Sequence, residues 1–144
     1  MTDDRRAAVG RILAAAAELT RQVRRMRSSP FAGQSLSGRQ VDALFVLARS
    51  GSGMTPSALA AALGVTAGAV TQLVDPLADS GLIERREHPN DARSRLLALS
   101  EGARARIEEF EAEVRAQLAV RFDGLDDTEL ARLADALTRV TADD

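Results

Sequence analysis

The chain has 144 residues, 45% of them hydrophobic, and a net charge of -2; it is long enough to bury one core, and its charge does not by itself advertise nucleic acid. It holds no cysteine, which excludes disulfides, thiol redox sensing and cysteine–zinc sites, and no run of about 18 apolar residues, which excludes a membrane-spanning helix. The first ten residues, MTDDRRAAVG, lack the basic-then-apolar order of a secretory signal, so a cytoplasmic protein without membrane attachment is expected.

Val9, Ile12, Leu13, Ala16, Leu19, Val23 and Met26 recur at three and four residues and predict a long first helix with one apolar face. Ser28, Ser29, Pro30 and Gly33 break it. Ser37 and Gln40 have capping-box spacing and open a second helix, with Val41, Leu44, Phe45 and Ala48 as its buried stripe and Gly51-Ser52-Gly53 as its end. Thr55 before Pro56 is a cap followed by a first-turn proline. In that third helix Leu59, Ala62 and Leu63 face inward, and Gly64 permits a tight turn. Thr66 caps the next helix, whose inner face is Val70, Leu73, Val74 and Leu77 and whose stop is Gly81. Leu82 to Arg86 and Arg93 to Leu99 read as strands, joined by the turn chemistry of His88-Pro89-Asn90-Asp91. Ser100 caps a further long helix striped by Ile107, Phe110, Val114 and Leu118. After a bend at Phe122 to Leu125, Asp126 and Glu129 open a last helix striped by Leu130, Leu133, Leu137 and Val140.

Helix, tight turn, helix and hairpin in that order make a winged helix-turn-helix, a shape that sets one helix in a DNA groove with a loop beside it. The fold expected is mainly α: a winged helix-turn-helix core at 37–100, flanked by an N-terminal helix at 1–36 and C-terminal helices at 101–144 that form a dimerisation region. Palindromic DNA calls for two-fold dimers, so the apolar positions Ile12, Leu118, Phe122, Leu125, Leu130, Leu133 and Leu137 are the candidate interface; folding back onto the core is the plainer alternative. The base-reading candidates are Thr66, Ala67, Gly68, Ala69, Thr71 and Gln72. Glutamine pairs bidentately with adenine, and small residues and threonine methyls suit thymine. In the hairpin, Arg85, Arg86, Arg93 and Arg95 suit a minor groove of strong negative potential, and Asp91 is close enough to orient Arg93 by a salt bridge. Glu84, Glu87 and Asp91 among these arginines leave a self-neutralised, solvated hairpin as the competing reading.

The segment resembles the MarR family of bacterial transcription regulators. The residues that carry the likeness are LAAALGVTAGAVTQLVDPLADSGLIERR (59–86), Asp91-Ala92-Arg93 and LLALSEG (96–102), and the order of the flanking helices matches as well. The resemblance implies a homodimer held by the terminal helices, reading a pseudo-palindromic operator in double-stranded DNA, repressing a nearby gene, and released by a small aromatic or anionic effector. It also implies Arg93 as the minor-groove arginine. Three positions depart from the family pattern. Ala92 replaces the first of two wing arginines, Gly102 comes early, and Pro76 sits inside the recognition helix, where a proline removes one backbone bond and tends to kink.

Met26, Phe31, Phe45 and Arg49 are the candidate effector pocket, with plain core packing as the alternative. His88 reads as a turn residue, since one histidine builds no typical zinc site. No metal or cofactor is expected. Without a cysteine nucleophile, a partnered histidine or a phosphate-cradling loop, an enzyme is not expected either, and carboxylates such as Glu108 and Glu109 read as a solvated face. The rival function is a helical protein-interaction or anti-regulator module with a degenerate reading head, favoured by the acidic C-terminal third and Pro76.

Overall fold

A computed structural model describes residues 2–25 and 30–142. The element order is α1 (Asp3–Arg25), α2 (Gly38–Arg49), α3 (Pro56–Leu63), α4 (Ala67–Asp79), β1 (Ile83–His88), β2 (Asp91–Leu99), α5 (Glu101–Ala119) and α6 (Asp127–Thr141). The chain is mainly α with one antiparallel two-stranded sheet, and it divides into two compact units, Arg27–Phe110 and the pair Met1–Met26 with Glu111–Asp144.

The central unit owes its elements to strong local signals. Ser37 accepts from the Gln40 amide while Gln40 Oε1 accepts from the Ser37 amide (3.2 and 2.8 Å), the reciprocal capping box expected of that spacing. Thr55 and Thr66 cap α3 and α4 through their hydroxyls, each at 3.2 Å. Between them Gly64 adopts φ 62° as a left-handed C-cap, and the chain bends by 106°, within the usual range for a helix-turn-helix.

The core gathers Phe31 from the turn ahead of α2, Leu44, Leu47, Leu59, Val70, Val74 and Leu77 from α2–α4, Ile83, Leu97 and Leu99 from the sheet, and Ala103 and Ile107 from α5. Phe31, ahead of α2, and Ala103 and Ile107, at the start of α5, are buried in the core of this unit. Two helix faces are rotated from their expected phase. In α2 the deepest positions are Ala43, Leu44 and Leu47, with Val41, Phe45 and Ala48 half-buried; in α3 it is Ala60 that is buried beside Leu59, while Ala62 is exposed and Leu63 half-buried. In so alanine-rich a chain the local pattern fixes the period better than the phase, and tertiary packing sets the phase.

The hairpin is longer than its sequence signal. Its strands run to His88 and from Asp91 because Pro89 and Asn90 alone make the turn, steadied by His88 Nδ1 accepting from the Asn90 amide (3.2 Å). The ladder pairs Ile83 with Leu99, Arg85 with Leu97 and Glu87 with Arg95, then shifts register between Glu87 and His88, a bulge that re-aims side chains at the tip. Two further ties were not visible in the sequence. Met54 pairs with Leu97 as an isolated bridge (3.0 and 2.8 Å). The Arg104 guanidinium donates to the carbonyls of Ala48 and Gly51 (3.4 and 2.9 Å), satisfying acceptors that the end of α2 leaves orphaned. The bridge requires Gly53: its φ is +112° and a Cβ there would lie 2.7 Å from the Leu97 carbonyl oxygen.

The second unit is capped in the same way. Asp126 and Glu129 form a capping box at the start of α6 (2.9 and 3.0 Å), and α1 carries Asp3 and Asp4 in its first turn and Arg24 and Arg25 in its last, complementing the helix dipole. Hydrogen bonds from Gln22 and Arg21 hold the Glu18 carboxyl below its usual range. Yet neither α1 nor α6 contains a buried residue among those described. Ile12 is 54% exposed, Leu13 64%, and Leu125, Leu130, Leu133 and Leu137 between 39% and 42%, while Leu118 and Phe122 are half-buried. No single helix among the described residues is long and apolar enough to cross a membrane.

Candidate nucleic-acid interface

All the expected base-reading residues stand at the start of α4. Thr66, Ala67, Gly68, Thr71 and Gln72 are exposed, and Ala69 is half-buried, while Val70, Val74 and Leu77 anchor the opposite face. The helical period therefore separates a buried stripe from an open one. A Cβ on Gly68 would meet nothing within 4 Å, so nothing inside the fold demands glycine there. The Thr71 hydroxyl turns back to the Ala67 carbonyl (3.5 Å), and the Gln72 amide has no partner among the described residues. Pro76 leaves α4 continuous to Asp79. It is exposed, and its missing N–H falls one turn beyond Gln72, after the base-reading half.

The electrostatics of this surface are unusual for a nucleic-acid reader. Between Arg49 and Arg85 the chain has no basic residue, and α4 itself carries Asp75 and Asp79. Cations come from outside the helix. Arg39 at the start of α2 donates to the Leu63 carbonyl (3.0 Å), beside the turn. The four wing arginines are all exposed, and three meet carboxylates: Arg85 with Asp75 on α4, Arg86 with Glu84 (3.0 Å), and Arg95 with Glu87 across the ladder (3.1 Å). The guanidinium of Arg93 has no carboxylate partner among the described residues. Asp91 does not hold it by a salt bridge as the sequence suggested; its Oδ1 accepts instead from the Arg93 backbone amide (3.0 Å), which shapes the bulge and leaves the guanidinium free. A cleft of about 330 Å³ runs between α4 and the hairpin, lined by Pro56, Thr71, Val74, Asp75, Arg85 and Arg95.

Of the expected effector residues, Phe45 packs against the core that holds Phe31. Phe31 is 2% exposed within the core. Phe45 sets its ring edge-to-face against Phe110 at 5.9 Å, and Arg49 donates to the Phe45 carbonyl (3.3 Å). Met26 lies outside the described residues. Among the described residues no cluster of histidine, cysteine or carboxylates is arranged to hold a metal ion.

Comparison with known proteins agrees with this geometry. Residues 34–94 match the MarR family. An uncharacterized HTH-type transcriptional regulator of Mycobacterium bovis, Mb0904, is 44% identical over 84 residues, which is 58% of this chain and 54% of that protein. The chain thus spans about half the length of the curated relatives it matches. A MarR family protein from Bacillus stearothermophilus superposes with a TM-score of 0.74 at 23% identity, over 97% of this chain and 95% of that one. Streptococcus pneumoniae FabT, solved in complex with DNA, superposes with a TM-score of 0.64 at 25% identity, over 96% and 94% of the two chains. The family and these relatives are regulators rather than enzymes. The matched helix-turn-helix and wing, the fold around them and the named relatives agree: residues 34–94 are a MarR-family winged helix-turn-helix segment, and the chain is similar to MarR-family transcriptional regulators.

Proposed function

We propose that the protein binds double-stranded DNA as a homodimer in the cytoplasm and represses transcription from a pseudo-palindromic operator. The observation that carries the DNA-binding reading is the pairing of an open, small-residue face on α4 with a wing whose Arg93 guanidinium is unengaged. Thr66 to Gln72 supply groups that read base edges in a major groove, and Arg93 suits the adjacent minor groove. The DNA complex of FabT, which shares this fold, supports the same docking. Gel retardation of DNA from upstream of the protein's own coding sequence tests it. Retardation that survives excess mixed-sequence duplex is expected; its absence at low salt contradicts the reading.

The homodimer is supported by the second unit, whose helices α1 and α6 bury no side chain among those described. Apolar stripes left so open need covering, and a second copy covers them with the two-fold symmetry that a palindrome matches. Sedimentation of the pure protein as a monomer at micromolar concentration contradicts this part. For a small-molecule effector, Met26, Phe31, Phe45 and Arg49 are the candidates. Aromatic carboxylates that alter neither melting temperature nor DNA retention contradict that part.

A further inference from the structure

The proposed reading helix carries a charge of the wrong sign. Asp75 lies three residues after Gln72, four after Thr71 and seven after Gly68, and all four are exposed, so Asp75 shares the face assigned to DNA. A lone carboxylate there repels phosphate. In this structure it is not alone: the Arg85 guanidinium of β1 reaches across ten residues of sequence to its Oδ1. Both side chains are half-exposed, and an ion pair in water adds little to stability. The hairpin also has other anchors, because Ile83, Leu97 and Leu99 are buried in the core and Met54 pairs with Leu97. The pair is therefore better placed to act on charge than on folding.

The rest of the wing points the same way. Arg86 and Arg95 are neutralised by Glu84 and Glu87, which belong to the hairpin itself. Asp75 is the one such acid that lies on the reading helix. Each arginine released to the DNA backbone would raise affinity for every sequence alike, because phosphate contacts carry no sequence information.

We propose that Asp75 is a positioning residue that sets the sequence-independent part of the DNA affinity. It holds the Arg85 guanidinium against the reading helix, withholds that charge from the phosphates, and so keeps affinity for DNA of any sequence low. This inference rests on the DNA-binding reading above.

The test uses the full chain and a fluorescent mixed-sequence duplex, titrated by anisotropy across a series of salt concentrations. Asp75→Asn frees Arg85, so it binds this duplex more tightly than wild type and steepens the salt slope by about one. Arg85→Gln leaves Asp75 bare and binds more weakly than wild type. The double variant returns the slope to the wild-type value, because the neutral pair is replaced by two neutral side chains. Affinity for a selected operator duplex rises in Asp75→Asn by the same factor, so the ratio between the two duplexes is unchanged. A merely structural pair would move both single variants in the same direction, and that result overturns the proposal. An unchanged slope for Asp75→Asn, with wild type binding normally, overturns it alone. Wild type that binds no duplex even at low salt overturns the DNA-binding reading and this inference together.

Discussion

Gly53→Ala tests how the wing is fastened to the core. The residue sits at φ +112° with the Leu97 carbonyl oxygen 2.7 Å from where a Cβ would be, and its neighbour Met54 makes two backbone bonds to Leu97. A side chain at positive φ costs about 1–2 kcal/mol. Relieving a contact with a backbone atom, which cannot swing away, adds about 1–3 kcal/mol of the kind that overpacking costs. The sum is about 3 kcal/mol, which for a domain of this size lowers the melting temperature by roughly 15 °C. Gly51 is the control: its φ is +65° but a Cβ there meets nothing within 4 Å, so Gly51→Ala suffers the conformational cost alone, about 1 kcal/mol. Thermal and urea unfolding of the two variants isolate the contact. If Gly53→Ala is no more damaging than Gly51→Ala, the close approach to Leu97 does not hold the wing as described.

Three further outcomes are expected. Arg93→Ala should lower the salt slope of DNA binding by about one, and Arg86→Ala by less, since Glu84 already engages that guanidinium; equal slopes in anisotropy titrations would show that ion pairing in the wing is irrelevant. Gly68→Ala should stabilise α4 by at most about 0.5 kcal/mol, as alanine replaces a first-turn helical glycine, yet weaken operator binding by adding a methyl to the face proposed to meet DNA; melting and retardation measured together would refute this if both improved. Leu133→Asp removes an apolar contact twice in a two-fold interface, at about 1.5–3 kcal/mol each, so sedimentation should show a dimer weakened about a hundredfold or more; an unaltered dimer would take Leu133 out of the interface.

Much of the fold was legible because its signals are local. Ser37 with Gln40, Thr55 before Pro56, Thr66 and Asp126 with Glu129 each announce a helix start through one side chain bonding a backbone group three residues on, and Gly64 is needed where the turn is left-handed. The open face of α4 followed from the same logic, since Val70, Val74 and Leu77 fix which side of the helix is buried. What escaped were contacts between distant residues. Arg104 capping the end of α2, Met54 pairing with Leu97 and Arg85 meeting Asp75 depend on where whole elements are packed, and no local period encodes that. Asp91 marks the border between the two classes: its nearness to Arg93 was readable, but a short carboxylate at a bulge bonds the backbone amide more readily than a long side chain.

Selection of bound sequences from a random duplex library by the purified protein tests the central claim most directly. A DNA reader built from two of these heads predicts enrichment of an inverted repeat, its half-sites separated by about one helical turn of roughly 10 base pairs or a multiple of it. A library that emerges without an enriched motif, although the protein is folded, would contradict the assignment of α4 and the Arg93 wing to sequence recognition.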